Sequence, residues 1–159
     1  MFMYIKKVLR SFGYDVVKYH SFWDDIAVPR GIKTILDIGA NEGVFAKDMR
    51  ACFPEAQIIS FEPLRDCYER LTGAMAGDGA FHPYNIALGE QSGETVIHRS
   101  SSHPSSSLLP MANLHKKLYP KSAGHTEETI QMERLDDLLK DAVLEKPVLI
   151  KIDVQGFEA

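Results

Sequence analysis

Four short apolar runs occur along the chain, each bounded by turn residues or polar positions. Runs of this kind are typical of strands that are buried on both faces of a parallel sheet. Segments with a helical period separate the first three runs, which favours alternation of strands and helices. The four predicted core strands are Thr34–Ile38, Gln57–Phe61, Ala80–Ile86 and Val148–Asp153.

Apolar residues at helical spacing predict the helices that accompany these strands. Pro63 is expected in the first turn of the second helix, since proline lacks an N–H that would be unpaired there. The first helix should end near Phe53, and Gly77 and Gly79 should end the second. The apolar positions are Val44, Phe45 and Met49 in the first helix, Cys67, Tyr68 and Leu71 in the second, and Leu135, Leu138 and Leu139 in a later one.

The alternation of strands and helices predicts an α/β fold with a doubly wound, Rossmann-like parallel sheet. Residues 31–159 are assigned to this domain, and residues 1–30 to an amphipathic N-terminal helix and its lead-in. The domain is expected to be incomplete at its C-terminus, because no helix follows the last strand to cover its apolar face.

Residues 93–134 interrupt the alternation and are interpreted as an insertion. Alternating positions at 94–98 and 129–133 predict a small antiparallel element within it. Between them, residues 100–107 are rich in serine and predict a loop, and a short helix is expected within 108–120.

Composition excludes several classes of protein. The 159 residues are 45% hydrophobic with a net charge of -4, which fits a globular domain and argues against a nucleic-acid partner. No run reaches the length of a membrane span, and the N-terminus lacks the apolar core of a signal peptide, so a cytoplasmic location is expected. The histidines and cysteines show no metal-ligand spacing, so no metal site is predicted.

A turn with two glycines, Asp37–Gly43, joins the first strand to the first helix. Ligands bind at the carboxyl ends of parallel strands, and a helix N-terminus there suits a ligand carboxylate. Asp37 could hold a ligand ammonium, directly or through water. Gly39 would allow close backbone approach, and Gly43 close packing of helix and strand. With Ala40 and Asn41 between them, these residues form the first part of the predicted cofactor site.

Two further acids follow predicted strands. Glu62 ends the second strand and could accept hydrogen bonds from both hydroxyls of a ribose, while Pro63 fixes the direction of the chain beyond it. Asp153 ends the fourth strand and could act as a general base or orient an acceptor, although capping a helix is an alternative role. Lys151, inside an apolar strand, is expected to pair with a carboxylate.

The spacing of the turn bears on the choice of cofactor. Nicotinamide-binding domains carry G-x-G-x-x-G, whereas this turn reads G-x-x-x-G with an acid two residues before the first glycine. The acid-first form favours S-adenosylmethionine. A nicotinamide-dependent oxidoreductase and an inactive, truncated cofactor-binding fragment are the alternatives.

Five motifs in order resemble the FkbM family of methyltransferases, from about Tyr14 to the last residue. The motifs are Ile35–Asn41, Ser60–Pro63, Asn85–Gly89, Glu133–Asp137 and Lys151–Glu158.

The resemblance implies a class I methyltransferase fold and S-adenosylmethionine-dependent O-methylation of a hydroxyl on a sugar, glycan or natural product. It implies that Asp37, Gly39, Asn41 and Glu62 bind the cofactor. Asn85 and Ala87 would lie near its adenine, and Asp153 and Glu158 would face the reacting centre. The implied partner is a small-molecule or glycan acceptor.

Overall fold

The computed structural model describes residues 31–100 and 125–154. The predictions for the N-terminal helix, for most of the serine-rich loop, for the helix within 108–120 and for Glu158 lie outside the described residues. The division into residues 1–30, residues 31–159 and the insertion stays a prediction. The elements are β1 (Thr34–Ile38), α1 (Val44–Cys52), β2 (Gln57–Phe61), α2 (Arg65–Ala74), β3 (Phe81–Tyr84), β4 (Ala87–Leu88), β5 (Gly93–Ser100), β6 (His125–Glu133), α3 (Leu135–Leu138) and β7 (Val148–Ile152).

Four strands form a parallel sheet in the order β3-β2-β1-β7. The chain runs outward from β1 to β3 and then returns to the other side of β1 with β7. This order matches that of a nucleotide-binding half of a doubly wound sheet, with the switch in strand order beside β1. The predicted α/β parallel architecture is therefore confirmed for the described residues.

A second sheet has the order β4-β6-β5. β5 and β6 pair antiparallel over eight residues of each strand, from Gly93 opposite Met132 to Ser100 opposite His125. The predicted antiparallel element is confirmed, and both strands are longer than the alternating pattern indicated. α2 packs on this sheet through a cluster that contains Leu64, Cys67, Ala87, Ile97 and Ile130.

The core of the parallel sheet lies on both of its faces, because successive side chains of a strand point in opposite directions. One face holds Leu36, Ile38, Ile59 and Phe61, covered in part by the leucines of α3, which confirms the predicted apolar face of that helix. On the other face, Ile35 and Ile58 are fully buried.

Three details of the predicted helices differ from the structure. Pro63 lies before α2 rather than in its first turn, since Leu64 is the N-cap and its N–H donates to Glu62 Oε1 at 2.9 Å. Val44 is 70% exposed, and the buried residues of α1 are Ala46 and Met49. α2 also ends at Ala74, ahead of the glycines expected to stop it.

β7 lies at the edge of the described parallel sheet, and its apolar side chains are incompletely covered. Ile150 and Ile152 are 53% and 52% exposed. Among the helices of the described residues, none is both long and apolar enough to cross a membrane.

Candidate functional site

The turn after β1 is held by the end of β2. The N–H groups of Gly39 and Ala40 both donate to the carbonyl oxygen of Phe61, each at 3.0 Å. Gly39 has φ 73° and Asn41 has φ 50°, so the chain enters left-handed conformations on both sides of Ala40. Glycine adopts such a φ without steric cost, which explains its presence at the first of these positions.

Gly39 also lies against the end of β7. A Cβ at this position would collide with the backbone carbonyl of Asp153, and the N–H of Asp153 donates to Ile38 O at 3.0 Å. Only a glycine therefore fits between the two strand ends. The turn and Asp153, predicted to belong to one site, are adjacent in the structure.

Gly43 is the N-cap of α1, with φ 85°, and a Cβ there would lie 2.8 Å from Leu71 Cδ1 of α2. This is the close packing predicted for Gly43, although the neighbour is a helix rather than a strand. No described side chain caps α1, and its first turn holds no acidic residue. The N-terminal end of this helix therefore has the polarity that suits a ligand carboxylate.

Glu62 is only 5% exposed and is built into the edge of the sheet. Its Oε2 accepts the N–H of Asn41 at 2.8 Å, and its Oε1 accepts the N–H of Leu64 at 2.9 Å. Burial raises the pKa of this carboxyl above its ordinary value, and the two backbone hydrogen bonds oppose the rise. A carboxylate oxygen has room for two hydrogen bonds, so each oxygen retains acceptor capacity.

Asn85 fixes the chain around Glu62. Its Nδ2 donates to the carbonyl oxygens of Glu62 and Pro63, both at 2.9 Å. Ala87 lies apart from this group, because its side chain is buried in the cluster between α2 and the second sheet. Proximity of Asn85 and Ala87 to an adenine stays a prediction.

Asp37 lies in the middle of a row of three polar residues across the sheet. In the strand register, Ser60 of β2 is opposite Asp37 on one side and Lys151 of β7 is opposite it on the other. Asp37 and Ser60 are fully buried, and Asp37 Oδ1 lies 3.0 Å from Lys151 Nζ. The predicted pairing of Lys151 with a carboxylate is confirmed.

The electrostatics of Asp37 follow from its position. Burial raises the pKa of its carboxyl, and the ammonium of Lys151 and the neighbouring hydroxyl of Ser60 lower it in part. The involvement of Ser60 was missed from the sequence. Its only signal is that it precedes Glu62 by two residues in an otherwise apolar strand.

The predicted site residues that the structure describes meet at one edge of the parallel sheet, Ala87 excepted. Asp153 directly follows β7, is exposed, and lies next to the glycine turn. The edge therefore combines an open helix N-terminus, a buried carboxylate with acceptor capacity, and an exposed carboxylate.

Comparison with known proteins bears on the family of the chain. Residues 37–159 match the family described as the methyltransferase FkbM domain. The chain is 26% identical to methyltransferase sdnD from Sordaria araneosa, over 97% of this chain and 68% of that protein. It is 28% identical to the 2-O-methyltransferase NoeI from Sinorhizobium fredii (strain NBRC 101917 / NGR234), over 79% of this chain and 54% of that protein.

A solved structure, the methyltransferase FkbM from Methylobacillus flagellatus KT, is similar with a TM-score of 0.48 and 14% identity, over 79% of this chain and 27% of that one. The match of the family to most of the chain defines the class of protein as methyltransferase. The chain belongs to the FkbM methyltransferase family.

Proposed function

We propose that this chain binds S-adenosylmethionine at the carboxyl edge of the parallel sheet and takes part in methylation of a hydroxyl oxygen on a small-molecule or glycan acceptor. The observation that carries the proposal is Glu62, a buried carboxylate at the end of β2 whose oxygens are held by Asn41 and Leu64. A carboxylate fixed in this way is an acceptor for the two hydroxyls of a ribose.

The turn between β1 and α1 fits the methionine part of the same cofactor. Gly39 and Gly43 let the turn pack closely against Asp153 and Leu71, and the uncapped α1 N-terminus suits a carboxylate. Asp37 is fully buried and paired with Lys151, so we assign its contribution to the support of the turn. Asn85 would act on the cofactor side by holding the carbonyl groups of Glu62 and Pro63.

The cofactor supplies an electrophilic methyl carbon when it is bound. The work left to the protein is to hold the acceptor oxygen in line with that carbon, at about 3 Å, and to accept the hydroxyl proton. Asp153 is the described residue placed for the second task, since its carboxylate is exposed at the end of β7. Glu158 remains a predicted partner in the same task.

The choice of oxygen as the methyl acceptor is supported by the relatives. NoeI is named a 2-O-methyltransferase. Methylation of a hydroxyl needs a positioned oxygen and a general base, and a carboxylate such as that of Asp153 can serve as the base. A nicotinamide-dependent oxidoreductase is not retained, because the family is one of methyltransferases. The cytoplasmic location stays a prediction.

Calorimetric titration of the full chain with S-adenosylmethionine and with NAD tests the cofactor. We expect saturable binding of the former only, and binding of NAD alone would refute the proposal. Glu62→Gln should weaken the affinity for S-adenosylmethionine by about tenfold, which is about 1.4 kcal/mol.

Glu69→Gln is the matched control, because Glu69 is an exposed carboxylate of α2 that bonds Arg65 at 2.8 Å. The two substitutions make the same chemical change at residues seven positions apart. Equal affinity of the two variants would show that Glu62 does not bind the ribose.

A further inference from the structure

The glycine turn is held from both sides, and β7 provides one of them. Lys151 Nζ donates to the carbonyl oxygen of Gly39 at 2.6 Å and lies 3.4 Å from the carbonyl oxygen of Ile38. It also lies 5.7 Å from the centroid of the Phe45 ring of α1. One ammonium therefore contacts the end of β1, the turn after it and the helix that follows.

β2 and Glu62 accept three N–H groups of the turn. Phe61 accepts two N–H groups of the turn, and Glu62 accepts the N–H of Asn41. The carbonyl of Gly39 is the group that faces β7, where Lys151 supplies the donor. Without that donor, the peptide after Gly39 would be held from the β2 side alone.

The register explains how the ammonium stays in place. Asp37 is directly opposite Lys151, is fully buried, and contacts Nζ at 3.0 Å. A fully buried carboxylate loses its hydration, and the ammonium of Lys151, whose side chain is 21% exposed, compensates for that loss. Asp37 thus directs Nζ toward the carbonyl of Gly39.

We propose that Lys151 is a positioning residue that sets the conformation of the glycine turn through its hydrogen bond to the Gly39 carbonyl, with Asp37 as the group that orients it. The effect of Lys151 on cofactor affinity rests on the proposed function, whereas its effect on the turn does not. Because Lys151 reaches the site only through the turn, it contacts no reacting atom.

Two variants of the full chain isolate the hydrogen bond. Asp37→Asn removes the charge of the carboxylate and keeps an amine that can donate to Gly39 O. Asp37→Asn combined with Lys151→Met removes the donor as well, and a neutral pair of similar volume is tolerated in many buried ion-pair sites. The unpaired ammonium penalises Asp37→Asn and not the double variant, so this charge effect opposes the faster exchange that is expected of the double variant.

Amide hydrogen exchange without cofactor is the first measurement. We expect the peptide covering residues 38–44 to exchange about tenfold faster in the double variant than in Asp37→Asn, with the peptide of β2 unchanged. Equal exchange at residues 38–44 would overturn the proposal. If the double variant does not fold, Asp37→Asn with Lys151→Gln replaces it, since that amide is too short to reach Gly39 O.

Affinity for S-adenosylmethionine is the second measurement. It should fall about tenfold between the two variants, and Lys151→Arg alone should retain most of the affinity because a guanidinium also donates to carbonyl and carboxylate oxygens. If Lys151→Arg weakened binding as much as loss of the donor does, the assigned role would be wrong. Failure of the unsubstituted chain to bind the cofactor would refute the proposed function, and the exchange result would still decide the role of Lys151.

Discussion

The two ends of the parallel sheet each rely on one basic side chain that binds main-chain carbonyls. At the amino end, Arg50 of α1 pairs with Asp78 at 2.7 Å and donates to the carbonyl oxygens of Phe53, Pro54 and Ala56 at 3.1, 3.0 and 2.7 Å. At the carboxyl end, Lys151 binds the carbonyl of Gly39. The first joins loops remote from the candidate site, and the second supports the turn at its centre.

This difference predicts that Arg50 acts mainly on the stability of the fold and Lys151 mainly on ligand binding. A planar guanidinium with five donors can hold several loops at once, whereas an ammonium concentrates its charge at one point. Loss of the Arg50 contacts should therefore mainly lower the free energy of unfolding. Loss of the Lys151 contact should mainly lower the affinity of the turn for its ligand.

Gly39→Ala is expected to have the largest effect. The new Cβ would meet the backbone carbonyl of Asp153 and would require φ near 73°, so strain and overpacking combine to about 3–4 kcal/mol of lost stability. Gly77→Ala is the control at the amino end, with φ 87° and no atom within 4 Å, and should cost about 1 kcal/mol. Urea unfolding measures both, and equal losses would show that the contact with β7 is unimportant.

Arg50→Met should follow, with a loss of about 3 kcal/mol in the free energy of unfolding, because one ion pair and several carbonyl partners are left without a donor. Affinity for S-adenosylmethionine in the folded variant should stay within about twofold of the parent. Arg50→Lys should recover part of the stability. A marked loss of affinity in a stable Arg50 variant would contradict the separation of the two ends.

Glu62→Gln should change the pH dependence of the free energy of unfolding. This change should be smaller than the loss of stability expected for Arg50→Met. Burial raises the pKa of Glu62, so above the ordinary value of 4.5 and up to the raised pKa the folded chain binds more protons than the unfolded chain. Stability must therefore fall as pH rises through this window. Relative to Glu62→Gln, the parent should lose stability from pH 4.5 upward in urea titrations, and a difference that is constant with pH would contradict the assignment.

Glu42→Gln should have the smallest effect. Glu42 lies in the glycine turn and pairs with Arg70 at 3.0 Å, but both side chains are 45% exposed. Pairs of this kind contribute about 0.2–1 kcal/mol. Thermal unfolding in low and high salt measures the contribution, and a loss above about 1 kcal/mol would show that surface charge also supports the turn.

The sequence predicted the local parts of this fold well. The bounds of β1 and β2 agree with the predicted runs because short, mostly apolar runs between turn residues are typical of strands inside a parallel sheet. The length of β6 was underestimated, since its first residues are fixed by pairing with β5 and not by their own pattern. Long-range pairing of this kind leaves no local signal.

The sequence predicted which residues belong to the candidate site better than it predicted the contacts between them. Glu62, Asn85 and Asp153 lie at the edge that the strand order implied. The burial of Asp37 between Ser60 and Lys151 depends on the register of three strands, which periodicity does not determine. The network of Arg50 was missed because its acceptors are loop carbonyls, which any residue type can provide.

The pairing of β1 with β7 also bears on the order in which the molecule is assembled during synthesis. Lys151 follows Gly39 by 112 residues, so β1, β2 and β3 leave the ribosome long before the donor for the turn does. Contacts between residues so far apart in the sequence form late, because the entropy cost of closing a long loop comes before any free energy is gained from the contact. A nascent chain can thus form three of the four described parallel strands before the residues that complete the ligand edge have been made.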